Sequence, residues 1–163
     1  MEYTGIYSSP LGPLYLTAGE YGLTGLTFSA PDNRPRRDDH PAFSPVTKWL
    51  GAYFQGIPLP IESLPLSPVG TEFQMQVWEC LRRIPWGQTT TYGDIAREVA
   101  RMRGKEIMSA QAVGQAVGAN PVPIIVPCHR CVGAGGKLTG YGGGLEKKIW
   151  LLCHEGILRE ETK

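Results

Sequence analysis

The chain contains the stretch Asn-Pro-Val-Pro-Ile-Ile-Val-Pro-Cys-His-Arg at residues 120–130, in which a cysteine ends an apolar run bracketed by prolines. The prolines lower the entropy of holding the Cys128 sulfur in one place, and a misplacement of about one ångström can slow a reaction about a hundredfold. A nearby base or positive charge lowers the pKa of a thiol, so His129 and Arg130 predict an ionised nucleophile at Cys128. By itself, the stretch is more typical of a buried structural cysteine.

Residues 71–118, upstream of this stretch, have the apolar spacing of three helices. Thr71 and Gln74 are placed to form a capping box, and Thr91 is placed to cap the second helix. The third helix, from about Ser109 to Gly118, is small-sided and nearly uncharged. Two helices joined by a turn, the second slim enough to approach a duplex, are compatible with a helix-turn-helix, but these residues alone favour the simpler interpretation that small side chains permit close helix packing. The apolar positions of the first two helices are Phe73, Val77, Trp78, Leu81, Ile95, Ala96 and Val99.

Three short segments near the start of the chain are rich in residues that favour strands, namely Tyr3–Tyr7, Leu14–Thr17 and Leu23–Phe28. Turn residues separate them, which predicts a small antiparallel meander. Residues 31–40 are polar and predict a loop whose charges cancel. The charged residues of this loop are Arg34, Arg36 and Arg37 against Asp32, Asp38 and Asp39.

A helix is expected to cover this sheet, with Ser44 as its cap, Pro45 as its first helical residue and Gly56 at its end. Four prolines between residues 57 and 70 are too many for a helix and badly placed for a central strand. This segment is therefore interpreted as a linker. The sequence predicts two domains, residues 1–70 including the linker and residues 71–163.

Composition and charge limit the classes of protein that this chain can belong to. Its 163 residues are 42% hydrophobic, enough for a core, and the net charge is +1. Residues 1–70 hold four basic and six acidic side chains and residues 71–163 hold twelve and nine, giving −2 and +3. A phosphate-binding surface is therefore expected in the second half.

The cellular compartment is predicted from the start of the chain and from its cysteines. The first residues do not have the pattern of a secretory signal, and no run of about 18 apolar residues predicts a membrane span. We expect a reducing, cytoplasmic location in which the cysteines are thiols or metal ligands rather than disulfide partners. They are Cys80, Cys128, Cys131 and Cys153.

Several motifs in a fixed order give the sequence a specific resemblance. After the stretch at 120–130 come Gly140-Tyr141, Gly143-Gly144-Leu145-Glu146, Trp150-Leu151-Leu152 and His154-Glu155-Gly156. Before it come Phe73-Gln74, Val77-Trp78, Ile84-Pro85-Trp86-Gly87 and Thr91-Tyr92-Gly93-Asp94-Ile95-Ala96. Together they resemble the O6-alkylguanine-DNA alkyltransferases, strongly over residues 71–157 and loosely over the first 70.

The resemblance implies an α/β N-terminal domain with a ribonuclease-H-like fold, a small antiparallel sheet plus a helix. A mostly helical C-terminal domain with the helix-turn-helix follows. It also implies a monomer that binds double-stranded DNA without sequence preference and flips an O6-alkylated guanine out of the duplex. The alkyl (methyl) group then passes irreversibly to Cys128, so each molecule acts once, in DNA repair by direct reversal. No cofactor and no metal are implied.

Roles for individual residues follow from the same resemblance. Cys128 is the acceptor, His129 draws its proton through a water, Glu155 orients and charges the histidine, and Asn120 braces the turn. Tyr92 helps to rotate the nucleotide and polarises the base. The other substrate contacts are Tyr141, Gly142, Lys148 and the backbone carbonyl of Cys131, and the DNA contacts are Gln111, Ala112, Gly114 and Arg130.

Three positions depart from the family pattern. Gln111 replaces an arginine that enters the base stack, and glutamine lacks its charge and planar stacking, so weaker duplex binding or less efficient flipping is expected. Gly142 stands where some members carry a serine near the modified oxygen, which predicts a pocket open to bulkier alkyl groups. Cys131 replaces an aliphatic residue, a change that leaves the backbone carbonyl in place.

Other classes of protein are compatible with parts of the pattern. Residues 128–131 have the Cys-x-x-Cys form of a thiol-disulfide oxidoreductase, but helices precede them where that class has a strand. A zinc site built from Cys128, Cys131, Cys153 and a histidine would make the chain a DNA-binding module, but the adjacent Cys153 and His154 are poorly spaced to share one ion. A relative that senses alkyl damage without repair is disfavoured, because such relatives lack the acceptor cysteine.

Overall fold

The computed structural model describes residues 2–31 and 34–159. They fall into two compact units, Met1–Val69 and Gly70–Lys163, a division one residue before the predicted boundary. Asp32, part of the predicted polar loop, lies outside the described residues. In the described part of the chain, no helix has both the length and the apolar character needed to cross a membrane.

The first unit is built on a three-stranded antiparallel sheet in the order β1 (Tyr3–Ser9), β2 (Gly12–Gly19) and β3 (Gly22–Thr27). The predicted meander is confirmed, with somewhat longer first and second strands. One face of the sheet is apolar because alternate side chains point to the same side. The buried residues of β2 and β3 include Leu14, Leu16, Leu23 and Leu26.

Helix α1 (Phe43–Phe54) belongs to the same unit and buries Val46, Leu50 and Tyr53. The predicted cap at Ser44 is wrong, because the helix begins at Phe43, two residues before the predicted first helical residue Pro45, and its N-cap Ala42 makes no side-chain cap. The preceding turn explains the shift: the backbone N–H of Phe43 donates to the carbonyl of His40 at 3.0 Å and starts the helical path there.

The proline-rich segment, predicted as a linker over residues 57–70 within the first domain, is hydrogen-bonded to the sheet of the first unit. The N–H of Leu23 donates to the carbonyl of Pro65 at 2.6 Å, and the N–H of Ser67 donates to the carbonyl of Leu23 at 2.7 Å. Gly22 allows this approach, since it has φ +143° and an added Cβ would lie 2.3 Å from the Pro65 oxygen. The segment thus lies along the edge of β3, where proline is tolerated.

The second unit contains helices α2 (Glu72–Arg82), α3 (Tyr92–Met102), α4 (Ala110–Gly118) and α5 (Leu145–His154). The predicted capping box is present, with the N–H of Gln74 donating to Thr71 Oγ1 at 3.1 Å and the Gln74 side chain accepting from the N–H of Thr71 at 2.9 Å. Thr91 caps α3 as predicted, and Ser109 caps α4. The core of these helices includes Val77, Leu81, Ile95, Val99, Val113 and Val117.

A short parallel pair of strands connects the start of α3 to the segment that follows Cys128. Strand β4 (Thr90–Thr91) pairs with β5 (Cys131–Val132), with Thr90 opposite Cys131. Tyr92, the first residue of α3, follows β4 directly, so the pairing brings the beginning of α3 to the cysteine segment. Trp78 supports the arrangement from α2 by donating from Nε1 to the carbonyl of Ala116 in α4 at 2.8 Å.

Candidate active site

The turn before Cys128 is held by the side chain of Asn120. Its Nδ2 donates to the carbonyl of Val126 at 2.8 Å, and its Oδ1 accepts from the N–H of Val122 at 3.0 Å. Between these points Ile124 has φ +73°, a conformation that costs a β-branched residue about 1 kcal/mol or more. The amide therefore holds both ends of a strained turn, in agreement with its predicted bracing position.

Cys128 begins a single 3₁₀ turn, Cys128–Arg130, and its side chain is buried. Burial raises the pKa of the Cys128 thiol, while hydrogen bonding to Asn120 and Tyr141 and the charge of Lys148 oppose that effect. The expectation of an ionised sulfur is wrong for the resting state, because desolvation of a thiolate outweighs the neighbouring charges. The resting side chain of Cys128 is therefore a protonated thiol at neutral pH.

His129 directly follows Cys128 in the chain and is completely buried. Its Nε2 lies 2.6 Å from Oε2 of Glu155, and its Nδ1 has no hydrogen-bond partner among residues 2–31 and 34–159. Burial lowers the pKa of His129, and the hydrogen bond and charge of Glu155 only partly offset this. A neutral imidazole that donates from Nε2 to a carboxylate keeps Nδ1 as a proton acceptor.

Glu155 directly follows α5 and is buried beneath the 3₁₀ turn. Burial alone would raise the pKa of this carboxyl, but hydrogen bonds from His129 and Arg130 lower it to about 2. The carboxylate is consequently ionised at neutral pH. Two consecutive residues of the turn, His129 and Arg130, hold the same anion.

Arg130 does not have the position that a DNA contact requires. Its Nε donates to Oε1 of Glu155 at 2.7 Å, its Nη2 to Oε2 at 3.1 Å, and its Nη1 to the carbonyl of Ile84 at 2.6 Å. The residue is only 8% exposed. The prediction of Arg130 as a DNA contact is corrected, because its donors are used inside the protein.

Lys148 of α5 is buried at 1% exposure and donates from Nζ to the carbonyl of Cys131 at 2.8 Å. This is the carbonyl for which a guanine contact was predicted. Burial lowers the pKa of Lys148 and raises the pKa of the Cys131 thiol to about 12. Cys131 therefore provides a backbone acceptor, and its thiol stays protonated.

Tyr92 and Gln111 line a cleft of about 1010 Å³ beside this site. The hydroxyl of Tyr92 lies 2.6 Å from Oγ1 of Thr139, a residue that sequence reasoning missed although it directly precedes the Gly140-Tyr141 motif. Burial raises the pKa of Tyr92, so its hydroxyl is protonated at neutral pH. The other lining residues are Thr91, Gly93, Asp94, Arg97, Ala110, Gly114, Gln115, Ala134 and Gly135.

The remaining predicted contacts lie at different places around the cleft. Gly114 packs closely enough that an added Cβ would lie 3.8 Å from the Tyr92 ring. Ala112 is half-buried in α4, and its N–H donates to the Ser109 cap at 3.1 Å. Gly142 has open space, with no atom within 4 Å of an added Cβ. Gly142 is exposed and is not among the residues that line the cleft, so the wide pocket stays a prediction.

Neither competing class of site is favoured by the arrangement. Within the described ranges, no three histidine, cysteine or acidic side chains come together as metal ligands. Cys80, Cys128, Cys131 and Cys153 are all free. The residues that follow Cys128 instead bind the buried carboxylate of Glu155 through His129 and Arg130.

The fold and the site define a class: a buried cysteine is followed by a histidine that contacts a buried carboxylate, and nucleophilic transferases use this combination of groups. The family model described as "6-O-methylguanine DNA methyltransferase, DNA binding domain" matches residues 72–157. A second, described as "6-O-methylguanine DNA methyltransferase, ribonuclease-like domain", matches residues 3–68. The chain belongs to the methylated-DNA–protein-cysteine methyltransferase family, which confirms the resemblance.

Individual relatives are similar over nearly their whole length. A methylated-DNA–protein-cysteine methyltransferase of Methanosarcina acetivorans is 42% identical over 161 residues, covering 94% of this chain and 98% of the relative. The solved Mycobacterium tuberculosis O6-methylguanine methyltransferase is 40% identical with a TM-score of 0.82, covering 95% and 93% of the two chains. The same organism's OGT in complex with DNA is 38% identical with a TM-score of 0.81, covering 99% and 96%.

Proposed function

We propose that this protein repairs double-stranded DNA by moving an alkyl group from O6 of guanine to Sγ of Cys128, once per molecule. Family membership supports the reaction class, since the relatives are named methylated-DNA–protein-cysteine methyltransferases. The observation that carries the assignment to Cys128 is the buried chain of hydrogen bonds from His129 to Glu155 and Arg130 beside its thiol.

The proposed step balances without a cofactor. A bond forms between Cys128 Sγ and the alkyl carbon, and the bond from that carbon to O6 breaks. The thiol proton passes through a water to Nδ1 of His129, and Glu155 stabilises the resulting imidazolium. The guanine leaves with the electron pair of the broken bond and takes up one proton from solvent, while the imidazolium of His129 returns the thiol proton to solvent. Because a thioether cannot be hydrolysed under these conditions, the protein is consumed.

The leaving base needs donors where its negative charge develops. Tyr92 keeps its proton and lines the cleft, so its hydroxyl can donate to the departing purine. Lys148 and Tyr141 both act on the Cys128 sulfur, which supports assigning them to the O6 side of the bound guanine. The carbonyl of Cys131 and the open space at Gly142 complete the proposed pocket.

DNA is proposed to bind at α3 and α4, used as a helix-turn-helix. The cleft between these helices and residues 134–139 is lined by Gln111 and Gly114, with Ala112 half-buried in the same helix. The solved relative titled as a complex with DNA supports a nucleic-acid partner. Binding without sequence preference, a monomeric state, a cytoplasmic location and a ribonuclease-H-like first unit are further parts of the proposal.

The experiment that tests the function uses a duplex with one labelled O6-methylguanine and an excess of wild-type protein. The expected result is a burst that transfers one label per active molecule and then stops, with unmodified guanine restored in the DNA. Cys128→Ala should transfer nothing, while Cys153→Ala, which removes a half-buried thiol of the same unit, should react like the wild type. Continued turnover, or transfer by Cys128→Ala, would contradict the proposal.

A further inference from the structure

Arg130 is a buried cation whose hydrogen bonds all point into the second unit. Its guanidinium spans both oxygens of Glu155 and the carbonyl of Ile84, just beyond the end of α2. Glu155 directly follows α5, and Arg130 ends the 3₁₀ turn that begins at Cys128. One side chain therefore connects three parts of the chain around the carboxylate that His129 uses.

We infer that Arg130 is a positioning residue of the transfer reaction: it keeps Glu155 ionised and fixed in the orientation in which His129 presents Nδ1 toward the Cys128 thiol. This inference rests on the proposed function. It assigns to Arg130 a role in proton transfer in place of a contact with DNA.

The protonation state of Glu155 decides which ring nitrogen of His129 carries the proton. An ionised Glu155 can only accept at Nε2, which leaves Nδ1 without a proton and able to accept one. A protonated Glu155 can donate to Nε2, which would move the imidazole proton to Nδ1 and remove the acceptor. Burial favours the protonated carboxyl, so a second partner is needed to keep it ionised.

The guanidinium of Arg130 also fixes the orientation of the Glu155 carboxylate. Nε and Nη2 of Arg130 meet the two oxygens of Glu155 at 2.7 and 3.1 Å, while Nη1 reaches Ile84. This use of the planar guanidinium fixes the carboxylate plane as well as its charge. A lysine ammonium supplies charge without that planar fork, so it should replace only part of the function.

The charged and titratable groups that act on His129 come from two elements. Glu155 raises its pKa, while Arg130 and Lys148 lower it. Cys128, the proton donor, precedes it in the same turn. Loss of Arg130 removes one cation that opposes the imidazolium but also releases the carboxylate that stabilises it. If Arg130 is a positioning residue, release of the Glu155 carboxylate must outweigh the removal of an opposing cation. The pH dependence of the transfer rate distinguishes these two effects.

The test measures transfer from the free O6-methylguanine base, which has no phosphates, to Cys128 in the full chain between acidic and neutral pH. We expect Arg130→Gln to slow transfer about tenfold or more at neutral pH. The acidic limb of the pH–rate profile of Arg130→Gln should lie about one pH unit or more higher than that of the wild type, because Glu155 then takes up a proton more readily. Arg130→Lys should restore part of the rate at neutral pH and reverse part of the shift in the acidic limb. Arg83→Gln, which removes an exposed ion-paired arginine, is the matched control.

The outcomes separate the alternatives. An unchanged free-base rate with weaker, less salt-dependent duplex binding in Arg130→Gln would overturn the inference in favour of DNA contact. A slower rate with an unshifted pH profile would overturn it in favour of a merely structural role. If Arg130→Gln does not fold, the profile of Arg130→Lys gives the same decision. A wild-type Cys128 that stays unmodified by both free base and duplex would instead refute the proposed function.

Discussion

Nε2 of His129 lies 2.6 Å from Oε2 of Glu155, and both side chains are inaccessible to solvent. The two residues are separated by 26 positions in the chain, so tertiary packing creates the pair. Since Glu155 is held ionised, the pair can receive a proton from a neighbouring thiol without leaving a buried charge unpaired. Under the proposed function, this pair is the proton acceptor that a cysteine with a raised pKa requires.

His129 is the proposed general base of the transfer reaction. His129→Gln should lower the rate of transfer from the duplex by about a hundredfold to ten-thousandfold, because a general base is lost. Single-turnover kinetics with labelled DNA measure the rate. His40→Gln changes a histidine of the first unit and should leave the rate unchanged. A rate loss of less than tenfold in His129→Gln, with Glu155 still in place, would contradict the assigned role.

The pH dependence of stability follows from Glu155. Its pKa in the folded protein is about 2, below the ordinary value of 4.5, so its stabilising contribution is present above pH 4.5 and is lost as the pH falls toward 2. The size is on the order of 3 kcal/mol. His129 acts in the same direction from about pH 6.5 downward, because its pKa is also lowered. Urea unfolding between neutral pH and pH 2 measures the contributions of Glu155 and His129 to the free energy of unfolding.

The matched variant for this measurement is Glu155→Gln, which has no group to titrate at that position. Its free energy of unfolding should be lower at neutral pH and should fall less steeply between pH 4.5 and pH 2. If the free energies of unfolding of the wild type and Glu155→Gln fall in parallel between pH 4.5 and pH 2, Glu155 is not held ionised by the fold.

Gln111 lies exposed near the start of α4 and lines the cleft. Gln111→Arg should tighten duplex binding and steepen the slope of log affinity against log salt by about 0.9 if one phosphate is engaged. Transfer from the free base should not change. Gln55→Arg adds the same charge in the first unit and serves as the control. Equal effects of the two variants would show that added charge alone is responsible.

Gly142 provides the prediction on substrate range. Gly142→Ser has room for its Cβ, so the variant should fold normally and narrow the pocket near the modified oxygen. The ratio of transfer rates for benzyl over methyl adducts should fall. Gly140→Ser, another open glycine of the same loop, is the control. If Gly142→Ser accepts benzyl groups as readily as methyl groups, the explanation of a wide pocket fails.

Local features of the fold could be predicted from the sequence, because their causes are local. The capping box at Thr71 and Gln74, the cap at Thr91 and the meander depend on residues a few positions apart, and the structure confirms them. The start of α1 was missed because a turn at His40 begins the helix before Ser44. The pairing of Pro65 with Leu23 was missed because it joins residues far apart in the chain.

The candidate site was predicted in part. The motif order identified Cys128 and the family, and the structure brings His129 and Glu155 together as the resemblance implies, although their roles in transfer stay predictions. Arg130 was misassigned because the resemblance gave no information on its buried partners, Ile84 and Glu155, which lie 46 and 25 residues away in the chain. The raised pKa of Cys128 depends on burial, which no local pattern reports.

The most direct test of the account is the mass of the peptide that contains Cys128 after the folded, reduced protein has met a stoichiometric O6-methylguanine duplex. The account predicts that this peptide gains one methyl group in place of the thiol hydrogen. The peptides that contain Cys80 and Cys153 should stay unchanged, and fragmentation should exclude Cys131. A methyl group on any other cysteine, or an unmodified Cys128 after complete reaction time, would contradict it.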